Sequence, residues 1–333
     1  MRKILITGIA GLLGSNLSRY LLDKGFLVYG IDDLSGGYIE NIDCRIIDKG
    51  HFFNLNIIDN FKLSNFFENN KIDIVFHFAA YAAEGLSPFI RNYNYMNNVI
   101  GSVNIINNCI NHSVEKLIFT SSMAVYGEGK PPFTETDICK PIDPYGIAKY
   151  TVEQDIVQAN NQFGLKYNIL RPHNIIGKYQ NIWDKYRNVI GIWIRQILNH
   201  EKITIFGDGQ QSRAFSDVNL YLEPLVKLIN INENEVFNLG SDNAITINEA
   251  ANTLLKVAKE FGYEGGIKYC ENRHEVKHAF CEHQKAREKL NFQGQTDLEG
   301  IIKEMFQWAI QQPDRISRLM PYEVQKGLYS FWI

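Results

Sequence analysis

The segment KILITGIAGLLG, residues 3 to 14, confines the fold more tightly than any other part of the chain. Its first residues, Lys3 to Thr7, form an apolar run that reads as a strand buried on both faces. The run stops at Gly8, and Leu13, Leu17, Tyr20 and Leu21 then fall on one helical stripe. Between strand and helix stand Gly8, Gly11 and Gly14, where the backbone must turn tightly and admit a close approach. A helix N-terminus at such a turn favours negative charge, and a pyrophosphate fits it. GxxGxxG spacing alone is weak, since glycine loops also occur without ligands. The setting sharpens it: a second strand pattern, Phe26 to Asp32, ends on an acid 18 residues after Gly14. Asp32 is able to accept hydrogen bonds from an adenosine ribose and would repel a 2′-phosphate, so the expected cofactor is NAD rather than NADP. The other reading of Asp32 is a solvated turn residue beside Asp33.

Strand and helix patterns keep alternating. Residues 51–57, 73–80, 116–122 and 167–172 are short apolar runs, and Val99, Val103, Ile106 and Ile110 form another helical stripe. This order predicts an α/β fold with a doubly wound parallel Rossmann sheet. After Pro172 the pattern loosens until residues 235–241, and amphipathic helices resume at 246–260 and 297–311. The expected division is a Rossmann, NAD-binding domain of residues 1–172 and 214–240. A smaller α/β substrate-binding domain would take 173–213 and 241–333.

Composition narrows the function classes. Over 333 residues the net charge is -3, with 45% hydrophobic and 21% charged residues, which argues against a nucleic-acid partner. Five scattered cysteines show no CxxC pair and no Cys/His ligand spacing, so free thiols and no metal site are expected. The segment MRKILITG runs straight into a strand pattern, and no apolar stretch approaches the ~20 residues of a membrane span. The expectation is a cytoplasmic protein with no membrane partner.

Chemistry enters at YGIAK, residues 145–149, which sets Tyr145 and Lys149 on one helical face. A phenol titrates near pH ~10 unperturbed. A neighbouring ammonium, joined by a positively charged nicotinamide, would move Tyr145 toward a usable general base. Alone, such a pair is usually a surface contact. Here Ser121 and Ser122 end an intervening strand, and ligands sit at the carboxyl ends of such strands.

With TGIAGLLG, HFAA (77–80), SSMAVYG (121–127), YGIAK, LRPHNIIG (170–177) and IFGDGQQSRAF (205–215) in this order, the chain resembles the extended short-chain dehydrogenase/reductases. Within them it resembles the nucleotide-sugar epimerases, most of all the UDP-glucose 4-epimerases. The resemblance implies Ser122 as the catalytic hydroxyl, Tyr145 as the base and Lys149 as its electrostatic partner. It implies NAD contacts from Gly8, Gly11, Leu12, Leu13, Gly14, Asp32, Asn56, Ile57, Phe78, Ala79, Ala80, Asn98, Ser121, Tyr145, Lys149 and Pro172. Asn56 stands where the family commonly has an Asp that reads adenine, Ala82 where some epimerases carry a lysine, and Asn98 also reads as a helix-surface residue.

Met123 follows the catalytic serine where the family's 4,6-dehydratases have Asp and then Glu. Neither Met123 nor Ala124 transfers a proton, so the resemblance implies epimerisation rather than water loss. The implied reaction inverts C4 of a UDP-hexose, UDP-glucose or UDP-galactose, through a transient 4-keto sugar. Alternatives are a 4-keto reductase, an epimerase at another carbon or on another NDP-sugar, and a non-catalytic NAD-sensing regulator. The implied UDP-sugar contacts are Ser122, Met123, Tyr145, Asn174, Arg213, Arg273 and Ala279. Arg273 lies in a segment that lacks the family's Arg-Pro-Gly-Asp. Ala279, small where other members carry a bulky tyrosine, implies admission of UDP-N-acetylhexosamines. Helices within 91–112 and 145–162 imply a homodimer, and the aromatic tail from Pro321 has either its own core or a partner to dock on.

Overall fold

The structure is a computed structural model that describes residues 2–273 and 275–332. Strands β1 (Lys3–Thr7), β2 (Leu27–Asp32), β3 (Phe52–Asn54), β4 (Ile74–His77), β5 (Lys116–Thr120), β6 (Lys166–Pro172) and β7 (Glu235–Leu239) form one sheet. Their spatial order is β7-β6-β5-β4-β1-β2-β3, and every neighbouring pair is parallel. The expected doubly wound sheet is therefore present. The order reverses between β1 and β4, so the crevice outside their carboxyl ends is the switch point where such sheets take ligands.

Strand periodicity builds a core on each face. Ile4, Ile6, Val28 and Phe76 pack with Leu17 and Leu21 of α1 (Leu12–Asp23) on one side. Leu5, Ile31, Val75 and Phe119 pack on the other with Leu63 and Phe66 of α2 (Asn60–Asn70). Ile105 and Ile106 of α3 (Gly101–Asn111) and Val152 and Ile156 of α4 (Pro144–Phe163) complete that face. Helix α4 begins where Asp143 accepts a hydrogen bond from the Gly146 N–H at 2.9 Å, with Pro144 at the first helical position. Helix α5 (Asn219–Leu228) puts Leu225 and Leu228 on the α1 side beside Phe237 and Leu239 of β7. Ala286, Leu290 and Phe292 join that same core.

A second lobe has its own core. Helices Val189–Leu198, Ile247–Glu260 and Leu298–Ile310 enclose the parallel pair Ile203–Phe206 and Ile267–Cys270, with Trp193, Ile205, Leu254 and Phe306 at the centre. Among the described residues, no helix is long and apolar enough to cross a membrane.

Candidate active site

A cleft of about 730 Å³ opens over the carboxyl ends of β1, β4, β5 and β6 and continues against the second lobe. Its first wall is the glycine loop. Gly8 has φ +74, and a Cβ there would lie 2.8 Å from the Ala79 nitrogen. A Cβ on Gly14 would lie 2.2 Å from the Gly8 carbonyl oxygen, so α1 packs this close to β1 only with glycine. Gly11 caps α1 with no side-chain hydrogen bond, and the first turn carries no acid. The helix start, with Leu12 and Leu13, therefore faces the cleft with its partial positive charge uncompensated. Asp32 braces the loop by accepting from the Ala10 N–H at 2.9 Å and the Leu34 N–H at 2.8 Å. Burial raises its pKa, and those two N–H groups oppose the rise. Across the cleft, the buried Thr120 and Ser121 hydroxyls have no hydrogen-bond partner among the described residues. An open helix start opposite two unpartnered hydroxyls fits a ligand with a pyrophosphate and ribose hydroxyls.

Deeper in the cleft, Ser122, Tyr145 and Lys149 line the same space. Ser122 sits just past β5, and its Oγ accepts from the Ala124 N–H at 3.1 Å. The Ser122 side chain also faces the Tyr145 phenol and lowers its pKa. Burial raises that pKa by more, helped by the charges of Glu84 and Asp143, so the protein alone holds Tyr145 as a neutral phenol. The expected shift toward the phenolate includes a bound nicotinamide; among the protein's own groups, desolvation outweighs the lowering by Ser122 and Arg187. The Lys149 ammonium is 5.9 Å from the Tyr145 ring centroid and donates to the Thr120 carbonyl at 2.7 Å. Burial pulls Lys149 down to about 7, and Glu153 works against that fall.

Two acids that the sequence reading did not single out flank the phenol. Glu84, just after β4, is accessible from the cleft, while surrounding protein and Asp143 push its carboxyl up to about 7. Asp143 is raised by burial and held back by the Gly146 and Tyr145 N–H groups. The signals were faint: a lone acid inside the otherwise apolar AAEGL, and an N-cap aspartate before Pro144. Met123 lies off the main cleft, in a side chamber of about 90 Å³ that it shares with Glu84, Ser122, Asn174 and Ala279.

The far end of the cleft is basic but internally paired. Glu275 takes Arg213 at 3.0 Å and Arg273 at 3.5 Å, and the Arg273 guanidinium stacks 4.2 Å from the Phe206 ring centre. Asn174 lines both spaces with φ 42, a left-handed conformation that asparagine tolerates.

Residues 4–240 match the NAD dependent epimerase/dehydratase family. The chain belongs to that family. A curated relative, UDP-glucose 4-epimerase of Lactobacillus helveticus, is 31% identical over 274 residues, covering 77% of this chain and 81% of that protein. The crystal structure of Thermotoga maritima UDP-glucose 4-epimerase with UDP-glucose is 31% identical, with TM-score 0.86 over 93% of this chain and 99% of the other. The UDP-glucuronic acid 4-epimerase of Bacillus cereus, solved with UDP-glucuronic acid and NAD, is 25% identical, with TM-score 0.82 over 93% and 99%.

Several residues implied as NAD contacts lie outside the cleft lining of this epimerase/dehydratase. Asn98 is buried, neither on a helix surface nor in the cleft. Its amide accepts from the Tyr81 N–H at 2.8 Å and donates to the Tyr81 carbonyl and to Asn94 Oδ1, which commits it to holding the loop after β4. Ile57 is a core residue packed on Gly101. Asn56 donates to Asp33 Oδ2 at 2.8 Å and accepts from the Ile58 N–H. Ala79 lies under Gly8 and donates its N–H to the Thr7 hydroxyl at 3.2 Å. Sequence pattern identifies these neighbourhoods, and only packing shows which way each side chain turns.

Proposed function

We propose that this chain is an NAD-dependent epimerase that inverts C4 of a UDP-hexose, UDP-glucose or UDP-galactose, through a transient 4-keto sugar. The observation that carries the reading is a buried phenol facing Ser122, with Lys149 beside it and the glycine loop across the same cleft. Gly8, Gly11, Leu12, Leu13, Gly14, Asp32, Phe78, Ala80, Ser121 and Pro172 would hold NAD, which supplies hydride acceptance and return at the sugar carbon. Once ionised, the Tyr145 phenolate takes the proton from the sugar 4-hydroxyl and later gives it back, and Ser122 steadies that oxygen by a hydrogen bond. Lys149, when charged, lowers the cost of the phenolate. Arg213 and Arg273 offer guanidinium groups to the substrate pyrophosphate in exchange for Glu275. Asn174 contributes its amide. Met123 supplies no proton, and small Ala279 leaves space for an N-acetyl group at the side chamber.

The test is incubation of the purified protein with UDP-galactose, followed by NMR for the C4-inverted sugar and by absorbance for NADH. Inversion without net NADH is expected, and Tyr145→Phe should abolish it while NAD still binds. Turnover retained in Tyr145→Phe would refute the role given to the phenol. A homodimer belongs to the same proposal, because Met96, Ile100 and Ile147 expose apolar side chains along the helical face of residues 91–112 and 145–162. Light scattering should give twice the chain mass, and a monomer at micromolar concentration would remove this part.

A further inference from the structure

We propose that Glu84 makes the sugar end of this cleft selective for uncharged UDP-hexoses over UDP-hexuronates, an inference that rests on the nucleotide-sugar reading above. Glu84 opens the short segment Glu84–Phe89 and stands where the main cleft meets the side chamber, bordering both. Ser122 and Arg213 border both spaces as well, and Tyr145 lines the main cleft, so the acid lies between the reacting groups and the two guanidiniums.

What singles out Glu84 is a lack of compensation. Among the described residues its carboxylate has neither a hydrogen bond nor an ion pair, and the Ser87 hydroxyl donates to its backbone carbonyl instead. Arg213 and Arg273, the cations whose charge it feels, are paired with Glu275. Asp143, the other acid beside Tyr145, is engaged as the cap of α4. Arg187, which also faces Tyr145, is bound to Asp184 at 2.8 Å. Glu84 is therefore, among the described residues, the carboxylate beside Tyr145 that no cation or hydrogen-bond donor engages.

Inversion at C4 requires the sugar to show both faces to Tyr145, so its C5 substituent must pass through this enclosed space in one orientation or the other. A hydroxymethyl group is able to donate a hydrogen bond to Glu84. A carboxylate has nothing to donate, and two like charges side by side raise the cost of holding both ionised. The family includes proteins with each kind of substrate, a UDP-glucose epimerase and a UDP-glucuronic acid epimerase, so the choice is a real one.

Calorimetric titration of the NAD-supplemented full chain with UDP, UDP-glucose and UDP-glucuronate tests this, with wild type and Glu84→Gln side by side. The wild type is expected to bind UDP-glucuronate at least about tenfold more weakly than UDP-glucose. Glu84→Gln should tighten UDP-glucuronate by about tenfold and leave UDP unchanged. Equal affinities in the wild type overturn the inference with no variant needed, as does a gap that Glu84→Gln leaves in place. Failure to bind UDP at all removes both readings. The expected preference without conversion of UDP-galactose would support Glu84 as the selective group and count against the epimerase alone.

Discussion

Burial works against the charge on Lys149, and that has a consequence for stability as well as for chemistry. Its folded pKa of about 7 lies below the ordinary lysine value of 10.5. Below about pH 7 the ammonium is charged in folded and unfolded chains alike, and the full desolvation cost is present. Between these two values the folded protein releases a proton that the unfolded chain keeps, so this group's contribution grows more favourable as pH rises. Urea denaturation of wild type and Lys149→Met without added NAD should therefore show a stability difference that shifts toward the wild type from about pH 6.5 to about pH 9. A difference independent of pH would mean that Lys149 does not titrate in this window. The identity of this residue and its spacing from Tyr145 were legible in YGIAK. Its titration was not, because Phe119 and Thr120, which surround the ammonium, come from another strand.

Helix α4 and strand β6 are held together beneath the site by a buried ion pair. Arg171 donates to Glu153 through Nε at 3.0 Å and through a terminal nitrogen at 2.6 Å, and it donates to the Tyr126 hydroxyl at 2.9 Å. Tyr126 in turn donates to Asn238 on β7 at 2.7 Å. Removing one partner of such a pair strands the other charge, at a typical cost of about 3–5 kcal/mol. Arg171→Met should lose stability of that order in denaturant titration, and the double change Arg171→Met, Glu153→Leu should recover much of it. A single variant as stable as the wild type would show that Glu153 finds another partner. The strands and helices themselves were visible in sequence, since runs buried on both faces and 3.6-residue stripes are local signals. This network was not, because its members are apolar-segment neighbours only after β5, β6 and β7 pair.

At the scale of the molecule, residues 313–332 tie the two lobes together across the cleft. Arg315 stacks 3.9 Å from the Tyr38 ring centre on the loop after β2, and Glu323 accepts from the Asn92 and Tyr93 N–H groups at 2.6 and 2.9 Å. Trp332 packs edge-on against Phe89 and Tyr186, Phe331 lies 4.1 Å from Phe206, and Tyr329 lines the cleft. The tail therefore docks on its own chain, the question its aromatic sequence left open. A chain ending at Ser317 should keep its far-ultraviolet circular dichroism, melt several degrees lower and bind UDP more weakly. Unchanged melting and binding would reduce the tail to a passive cover.

Alternating apolar periods, the glycines of the first turn and the Tyr-Lys spacing are written over neighbouring residues, so the amino-acid sequence alone determined the sheet, its switch point and the phenol at its edge. Which charges stand beside that phenol, whether it is ionised, and which asparagines reach the cleft were decided by the tertiary structure. The physical reason is that desolvation and charge pairing depend on side chains brought from distant segments: Glu84 from beyond β4, Glu275 from the second lobe, Phe206 covered by the tail. No local pattern contains that information.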